Sequence, residues 1–179
     1  MNSESIFIRK ATANDMPLIH KLYVAVSKTR GGLARTEDEV TEAYIKSFVQ
    51  KSTQNGAQYV AVDELRNNQV IAEVHCYKPE PKVFEHVLSE LTIVVDSEYQ
   101  GRGIGKKLFQ TLLNHVKETR EDIFRVELIA RESNIKAIQL YKSLGFEVEG
   151  RLQGRIKNEE NHLEADIPMG WFNPGFKSF

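Results

Sequence analysis

The segment Gln100-Gly101-Arg102-Gly103-Ile104-Gly105 has the residue types and spacing to hold a phosphate. It follows an apolar run, Leu91-Thr92-Ile93-Val94-Val95, and precedes a stretch in which Ile104, Leu108, Leu112 and Val116 recur at helical spacing. A strand, a tight glycine turn and a helix N-terminus in that order gather backbone N–H groups where the first helical turn leaves its donors unpaired. Glycine reaches φ > 0 and lets the backbone close on an oxygen. The spacing is Gly-x-Gly-x-Gly, unlike the dinucleotide fingerprint, and no acidic residue ends a matching second strand. Gly105 runs into Lys106-Lys107, unlike the Gly-Lys-Ser/Thr of a nucleoside triphosphate loop. A purely structural turn is the alternative at this point.

A second motif follows a later strand: Asn134-Ile135-Lys136-Ala137-Ile138-Gln139-Leu140-Tyr141-Lys142-Ser143-Leu144-Gly145-Phe146. Together the two motifs resemble the GNAT superfamily of N-acetyltransferases. Gln100, Gly103 and Gly105 match the Gln/Arg-x-x-Gly-x-Gly/Ala signature. Asn134, Ala137, Leu140, Tyr141, Gly145 and Phe146 match Asn-x-x-Ala-x-x-Leu-Tyr-x-x-x-Gly-Phe. The strong match covers roughly residues 88–150, and the rest of the chain is compatible in element order only.

The resemblance implies acetyl-CoA as the acyl donor, no metal, and an amine acceptor, either a small molecule or a peptide or protein N-terminus. It implies that pantetheine runs beside the backbones of Ile93, Val94 and Val95, where a freed N–H polarises the thioester carbonyl. The diphosphate then rests on N–H groups of Gly101, Arg102, Gly103, Ile104, Gly105 and Lys106, with Gln100 in the same signature. Arg102, Lys106 and Lys107 are candidates for phosphate charge, or else a solvated basic helix start. Asn134 is implied to hold the thiol arm, and its position also suits a helix N-cap. Tyr141 is implied as the general acid for the departing thiolate. Such a pairing is chemically sound, since thiol and phenol ordinarily titrate near ~8.5 and ~10. A non-catalytic acyl-CoA-binding module and a scaffold protein using its aromatic tail are the alternatives, and retention of Tyr141 argues against both.

An amine acceptor must lose a proton before it attacks. For a lysine-type amine at neutral pH that costs about 4 kcal/mol, for an α-amine about 1 kcal/mol. A base or water relay is therefore needed. Glu90, at the start of the central strand, is the leading candidate and Glu127 the second; Glu73, Glu85, His75 and His86 rank below them. In the branch that acetylates the N-terminus of a ribosomal protein, a Glu lies five residues before the motif Asn. Ile129 stands there in this chain, which argues against that base.

The elements needed to position these groups follow from periodicity. Strands are expected at 6–10, 58–62, 70–77, 91–95, 124–130, 146–152 and 163–171. Helices are expected from Asn14 or Asp15 to about Lys28, from Glu37 to about Gln54, after the glycine loop to about Arg120, and from Asn134 to Leu144. Thr36 with Glu39 forms a capping box, and Val40, Tyr44 and Phe48 form the buried stripe of the second helix. Gly31-Gly32 breaks the chain, and the resemblance implies that the loop around Arg30-Gly31-Gly32 lines the acceptor site. The order β-α-α-β-β-β-α-β-α-β-β predicts an α/β (α+β) fold. Its central sheet is mixed and mostly antiparallel, flanked by about four helices, and is not doubly wound. Phe172, Phe176 and Phe179 make an aromatic tail suited to a core cap, a dimer contact or an acceptor wall.

The 179 residues suffice for one domain, taken as 1–179. With 24 basic and 25 acidic residues, no broad basic surface for nucleic acid is expected. A lone Cys76 excludes an intrachain disulfide and a Cys-only metal site, and it reads as a core thiol. No apolar run of ~18 residues suggests a membrane span. The start Met1-Asn2-Ser3-Glu4 lacks signal-peptide features, so a cytoplasmic location is expected. A homodimer through the C-terminal strands is in keeping with the resemblance.

Overall fold

A computed structural model of the chain describes residues 5–29, 33–158 and 160–177. Among these residues, eight strands form one sheet ordered β1-β2-β3-β4-β5-β8-β6, with β7 paired to β8. The strands are β1 (Ile6–Lys10), β2 (Gly56–Asp63), β3 (Gln69–Tyr77), β4 (Val87–Val95), β5 (Arg125–Arg131), β6 (Glu147–Val148), β7 (Leu152–Lys157) and β8 (Leu163–Phe172). The helices are α1 (Met16–Ser27), α2 (Glu42–Asn55), α3 (Ile104–Thr119) and α4 (Ile135–Ser143). All strand pairings are antiparallel except β4 with β5, so the mixed, mostly antiparallel sheet read from element order is the one observed.

Each face of the sheet buries its own apolar cluster. On one face α3 packs Leu108, Phe109, Leu112 and Val116 against Ala61, Ile71, Val74 and Val126. On the other, α1 and α2 pack Ile19, Tyr23, Ile45 and Phe48 against Val60, Val62 and Val94. Full burial of each such aliphatic or aromatic side chain contributes about 1.5–3 kcal/mol. β3 is sandwiched between the layers, and its residues Val70 to Cys76 are all buried. That sandwiching explains why its sequence is a nearly continuous apolar run.

Three elements depart from the sequence reading. The Thr36–Glu39 capping box is present, but it caps a single 3-10 turn, Glu37–Glu39. Val40 breaks that turn at φ −84°, ψ 68°, and Thr41 then caps α2, its Oγ1 accepting from the Tyr44 N–H at 3.1 Å. The buried stripe is accordingly Ile45, Phe48, Val49 and Ser52, with Tyr44 only partly buried. The strand expected at 146–152 is two short strands, β6 and β7. β7 and β8 form a hairpin around the polar turn near Asn158, unforeseen because β7 is almost wholly exposed and carries no apolar alternation. Arg30-Gly31-Gly32 and Phe179 lie outside the described residues. Phe172 and Phe176 cap the lower end of β5, their rings 5.5 Å and 5.2 Å from that of Phe124.

Candidate active site

Two local features open a cleft in the middle of the sheet. First, β4 and β5 pair only through Val87 with Arg125 and Leu88 with Val126, and they separate beyond that point. Second, β4 carries a bulge: Tyr77 faces Ser89 and His75 faces Thr92, so Glu90 and Leu91 together oppose Cys76. Glu90 sits at φ +54°, a conformation that a β-strand side chain rarely adopts. Beyond the bulge the strand's hydrogen bonds alternate sides. The Asp96 N–H donates to the Ile71 carbonyl at 2.9 Å, so Ile93 and Val95 direct their own N–H and C=O away from β3 and into the separation. The Val95 carbonyl accordingly accepts from Gln100 Nε2 at 3.1 Å. Val94 departs from the expectation, since alternation turns its backbone toward β3 and its side chain is buried against α1 and α2.

The glycine loop lies at the C-terminal end of β4. Gly101 and Gly103 have φ +75° and +77°, and Gly103 is the N-cap of α3 with no side-chain cap. The first helical hydrogen bond is Lys107 N–H to the Gly103 carbonyl, 3.0 Å. Among the described residues, none of the backbone N–H groups from Gly101 to Lys106 meets an acceptor. All of these residues but Arg102 line a hollow of about 230 Å³, together with Val95, Gln100 and Leu140. A Cβ on Gly105 would sit 3.2 Å from Val95 Cγ2, so glycine here lets the first turn of α3 close on β4. The loop is anchored from behind by Tyr99, whose hydroxyl donates to Asp63 Oδ2 at 2.7 Å.

Of the expected phosphate cations, Lys106 lines the hollow. Arg102 is a correction: its Nη2 donates to the Glu98 carbonyl at 2.7 Å and its guanidinium lies 5.1 Å over the Tyr99 ring. Its backbone belongs to the donor row, but its charge is turned away. Lys107 faces a different groove, beside β1.

The adjoining cleft, about 400 Å³, brings Glu90, Ile93, Asn134 and Tyr141 together with Tyr44, His75, Tyr77, Arg35 and Arg131. Asn134 caps α4, its Oδ1 accepting from the Ala137 N–H at 3.2 Å, so its capping role coexists with a place in the cleft. Tyr141 packs against Phe109 and Phe146, and burial pushes its phenol up to about 12. Glu127 is elsewhere: it pairs with Arg125 at 3.1 Å and lines a separate hollow with Glu149. Glu85 and His86 are exposed and line neither hollow. Burial raises the Cys76 thiol to about 12, which leaves it a core thiol and no nucleophile.

Sequence reasoning ranked Glu73 and His75 low and left out Tyr44, Arg35 and Arg131. Glu73 is fully buried, and His75, 2% exposed, forms part of the cleft wall. Two polar residues inside an apolar strand were the available signal, since a buried carboxylate is tolerated only with partners. Among the described residues, no group of three or more His, Cys, Asp or Glu is placed to hold a metal.

The family model described as the acetyltransferase (GNAT) family matches residues 18–146. The chain is 41% identical over 58 residues to the spermine/spermidine N(1)-acetyltransferase of Bacillus subtilis (strain 168), covering 32% of this chain and 38% of that protein. It is 44% identical over 84 residues to the [ribosomal protein bS18]-alanine N-acetyltransferase of Salmonella typhimurium, 45% of this chain and 55% of that one. The chain thus spans about a third to a half of the length of these curated relatives. Among solved structures, a GNAT superfamily phosphinothricin acetyltransferase from Sinorhizobium meliloti in complex with AcCoA superposes with a TM-score of 0.82. That match has 19% identity and covers 98% of this chain and 94% of the other. The separated β4 and β5, the donor row at the start of α3 and the family match over most of the sequence lead to one conclusion: this chain belongs to the GNAT family of acetyltransferases.

Proposed function

We propose that this chain transfers the acetyl group of acetyl-CoA to a primary amine by direct attack in a ternary complex. One observation carries the reading: a row of backbone donors, Gly101 to Lys106, unpartnered among the described residues, continues into a cleft walled by outward-facing strand backbone and a half-buried phenol. The donors fit a diphosphate, and the outward N–H and C=O groups of Ile93 and Val95 fit an amide-bearing arm lying alongside β4 as an added strand. Acetyl-CoA supplies an acyl group activated as a thioester.

The chain supplies the rest. An outward N–H in the bulged part of β4 polarises the acyl carbonyl and stabilises charge growing on its oxygen. Tyr141 gives its phenolic proton to the leaving sulfur. Asn134, fixed by its capping bond, borders the thiol end of the arm. Glu90, exposed at the cleft mouth on its bulge, attracts the protonated amine and takes the first proton it sheds. Cys76, buried and with its thiol raised to about 12, does not serve as an acyl carrier. The setting is cytoplasmic; among the described residues, no helix is long and apolar enough to cross a membrane.

Charge around the cleft narrows the acceptor. Arg35 and Arg131 line it and neither pairs with a carboxylate among the described residues, whereas Glu90 is its one lining carboxylate. The Arg131 Nη2 reaches the Leu33 carbonyl at 3.4 Å, which holds the loop bearing Arg35 beside the end of β5. A polyamine would meet excess positive charge here. An amine that also bears a carboxylate, such as an amino acid or acidic peptide, would meet complementary charge. Thiol release from acetyl-CoA tests this over a panel of paired acceptors with and without a carboxylate. The carboxylated member of each pair is expected to give the higher kcat/KM, and spermidine a low one. Replacing Arg35 and Arg131 together by Gln should raise KM for that acceptor by at least about tenfold, as expected for losing charge-assisted bonds. Acetyl-CoA affinity should stay unchanged. Equal rates across each pair would remove the acidic-acceptor assignment.

A further inference from the structure

We propose that His75, held in place by the buried Glu73, takes the proton leaving the acceptor nitrogen as the new C–N bond forms. The proposal rests on the acetyl-transfer reading above.

Glu73 lies at the centre of β3 with no exposed surface. A carboxylate so placed costs several kcal/mol unless fully bonded, and all its partners here are arranged as donors. Tyr23 Oη donates to Oε2 at 2.7 Å and Gln58 Nε2 to Oε1 at 2.8 Å. His75 Nδ1 lies 3.1 Å and 3.2 Å from the two carboxylate oxygens, with Tyr23 Oη a further 3.4 Å contact. A carboxylate anion only accepts, so Nδ1 is the nitrogen that donates to it, and Nε2 is the one left to exchange a proton with the cleft. The ring is clamped flat on Phe48, centroids 4.0 Å apart at 4°. With Nδ1 committed and the ring fixed, Nε2 is the nitrogen left for the cleft that His75 lines.

The position suits the chemistry. His75 faces Thr92 across the sheet, immediately past the bulge, and thus lies beside the stretch of β4 proposed to carry the thioester arm. The groups facing it are Tyr23 from α1, Tyr44 and Phe48 from α2, Gln58 from β2, Glu73 and Tyr77 on its own strand, and Glu90 from β4, with Arg35 at the rim. Burial raises the phenols of Tyr23, Tyr44 and Tyr77, so they remain neutral donors near neutral pH. An oriented imidazole backed by a carboxylate is the arrangement that makes histidine a general base.

The step balances. The nitrogen lone pair forms the C–N bond, and Nε2 accepts the proton that nitrogen then loses. The C–S bond breaks, the sulfur takes the electron pair, and Tyr141 supplies its proton. His75 returns its proton to solvent, and the Tyr141 phenolate is reprotonated from water. The positive charge gained by the imidazole in mid-reaction is met by Glu73, which is a positioning residue.

The test begins with the parent protein, whose turnover with an amine establishes acetyl transfer independently of His75. His75→Ala should then lower kcat by about a hundredfold or more, the usual contribution of a general base, with acetyl-CoA affinity by calorimetry unchanged. The acidic limb of the kcat–pH profile should vanish, and added imidazole, seated against Phe48, should restore at least about tenfold of the lost rate. Glu73→Gln should shift the ¹⁵N ring signals of His75 away from the Nδ1–H tautomer in the protein without acetyl-CoA and lower kcat, not KM. A His75→Ala enzyme that binds acetyl-CoA and keeps kcat within about threefold would overturn the proposal, as would an unchanged acidic limb without imidazole rescue.

Discussion

Tyr141→Phe is expected to lower kcat by about a hundredfold or more while leaving acetyl-CoA affinity essentially unchanged. The substitution removes one hydroxyl and keeps the ring, so the packing against Phe109 and Phe146 survives. Burial pushes the phenol up to about 12, and the pH dependence follows from that direction. An acid donates only while protonated, and this phenol keeps its proton at every pH well below 12. The parent enzyme should therefore show no descending limb in kcat between neutrality and about pH 10, where an ordinary tyrosine would already be half ionised. A Tyr141→Phe protein with near-parental kcat would mean that sulfur takes its proton from elsewhere.

The second large effect concerns the donor row. Gly103→Asp should weaken acetyl-CoA binding by at least about a hundredfold, or about 2.7 kcal/mol. Gly103 sits at φ +77°, and a Cβ built on it meets nothing within 4 Å, so the side chain has room. Aspartate tolerates this backbone region better than most residues, so folding should be nearly intact. What remains is a negative charge beside the α3 N-terminus, where a diphosphate is proposed to lie. Gly103→Asn supplies the same size and conformational tolerance without the charge and should recover most of the affinity. Calorimetry on the three proteins, with circular dichroism to confirm folding, reads the result. Parental affinity in folded Gly103→Asp would remove the diphosphate from this loop.

Much of this site is legible in the amino-acid sequence because its chemistry is largely carried by backbone. Glycines at positions 101, 103 and 105 fix where N–H groups converge, and sequence order alone places them between a strand and a helix. The same holds for Asn134 and Tyr141, set on α4 by a motif with helical spacing. Side-chain direction was not legible. Arg102 turns to the Tyr99 ring rather than the donor row, a choice made by a carbonyl four residues back. Glu73 and His75 stand in the sequence only as lower-ranked candidates for the base. The partners that make them a pair, Tyr23 and Gln58, come from α1 and β2 and are 50 and 15 residues from Glu73 in sequence. The bulge at Glu90 depends on the register with β3, which periodicity leaves open. The β7 strand escaped because its exposed residues have no reason to alternate.

Direct transfer within the cleft is the central claim, and single-turnover labelling tests it most directly. The protein is mixed with acetyl-CoA carrying a labelled acetyl group and with a carboxylated amine acceptor, then quenched over time. The account predicts that label appears on the amine nitrogen in step with one equivalent of free thiol, and that none resides on the protein at any time. Label accumulating on the chain before reaching the amine, or acetyl-CoA bound without any transfer to an amine, would contradict it.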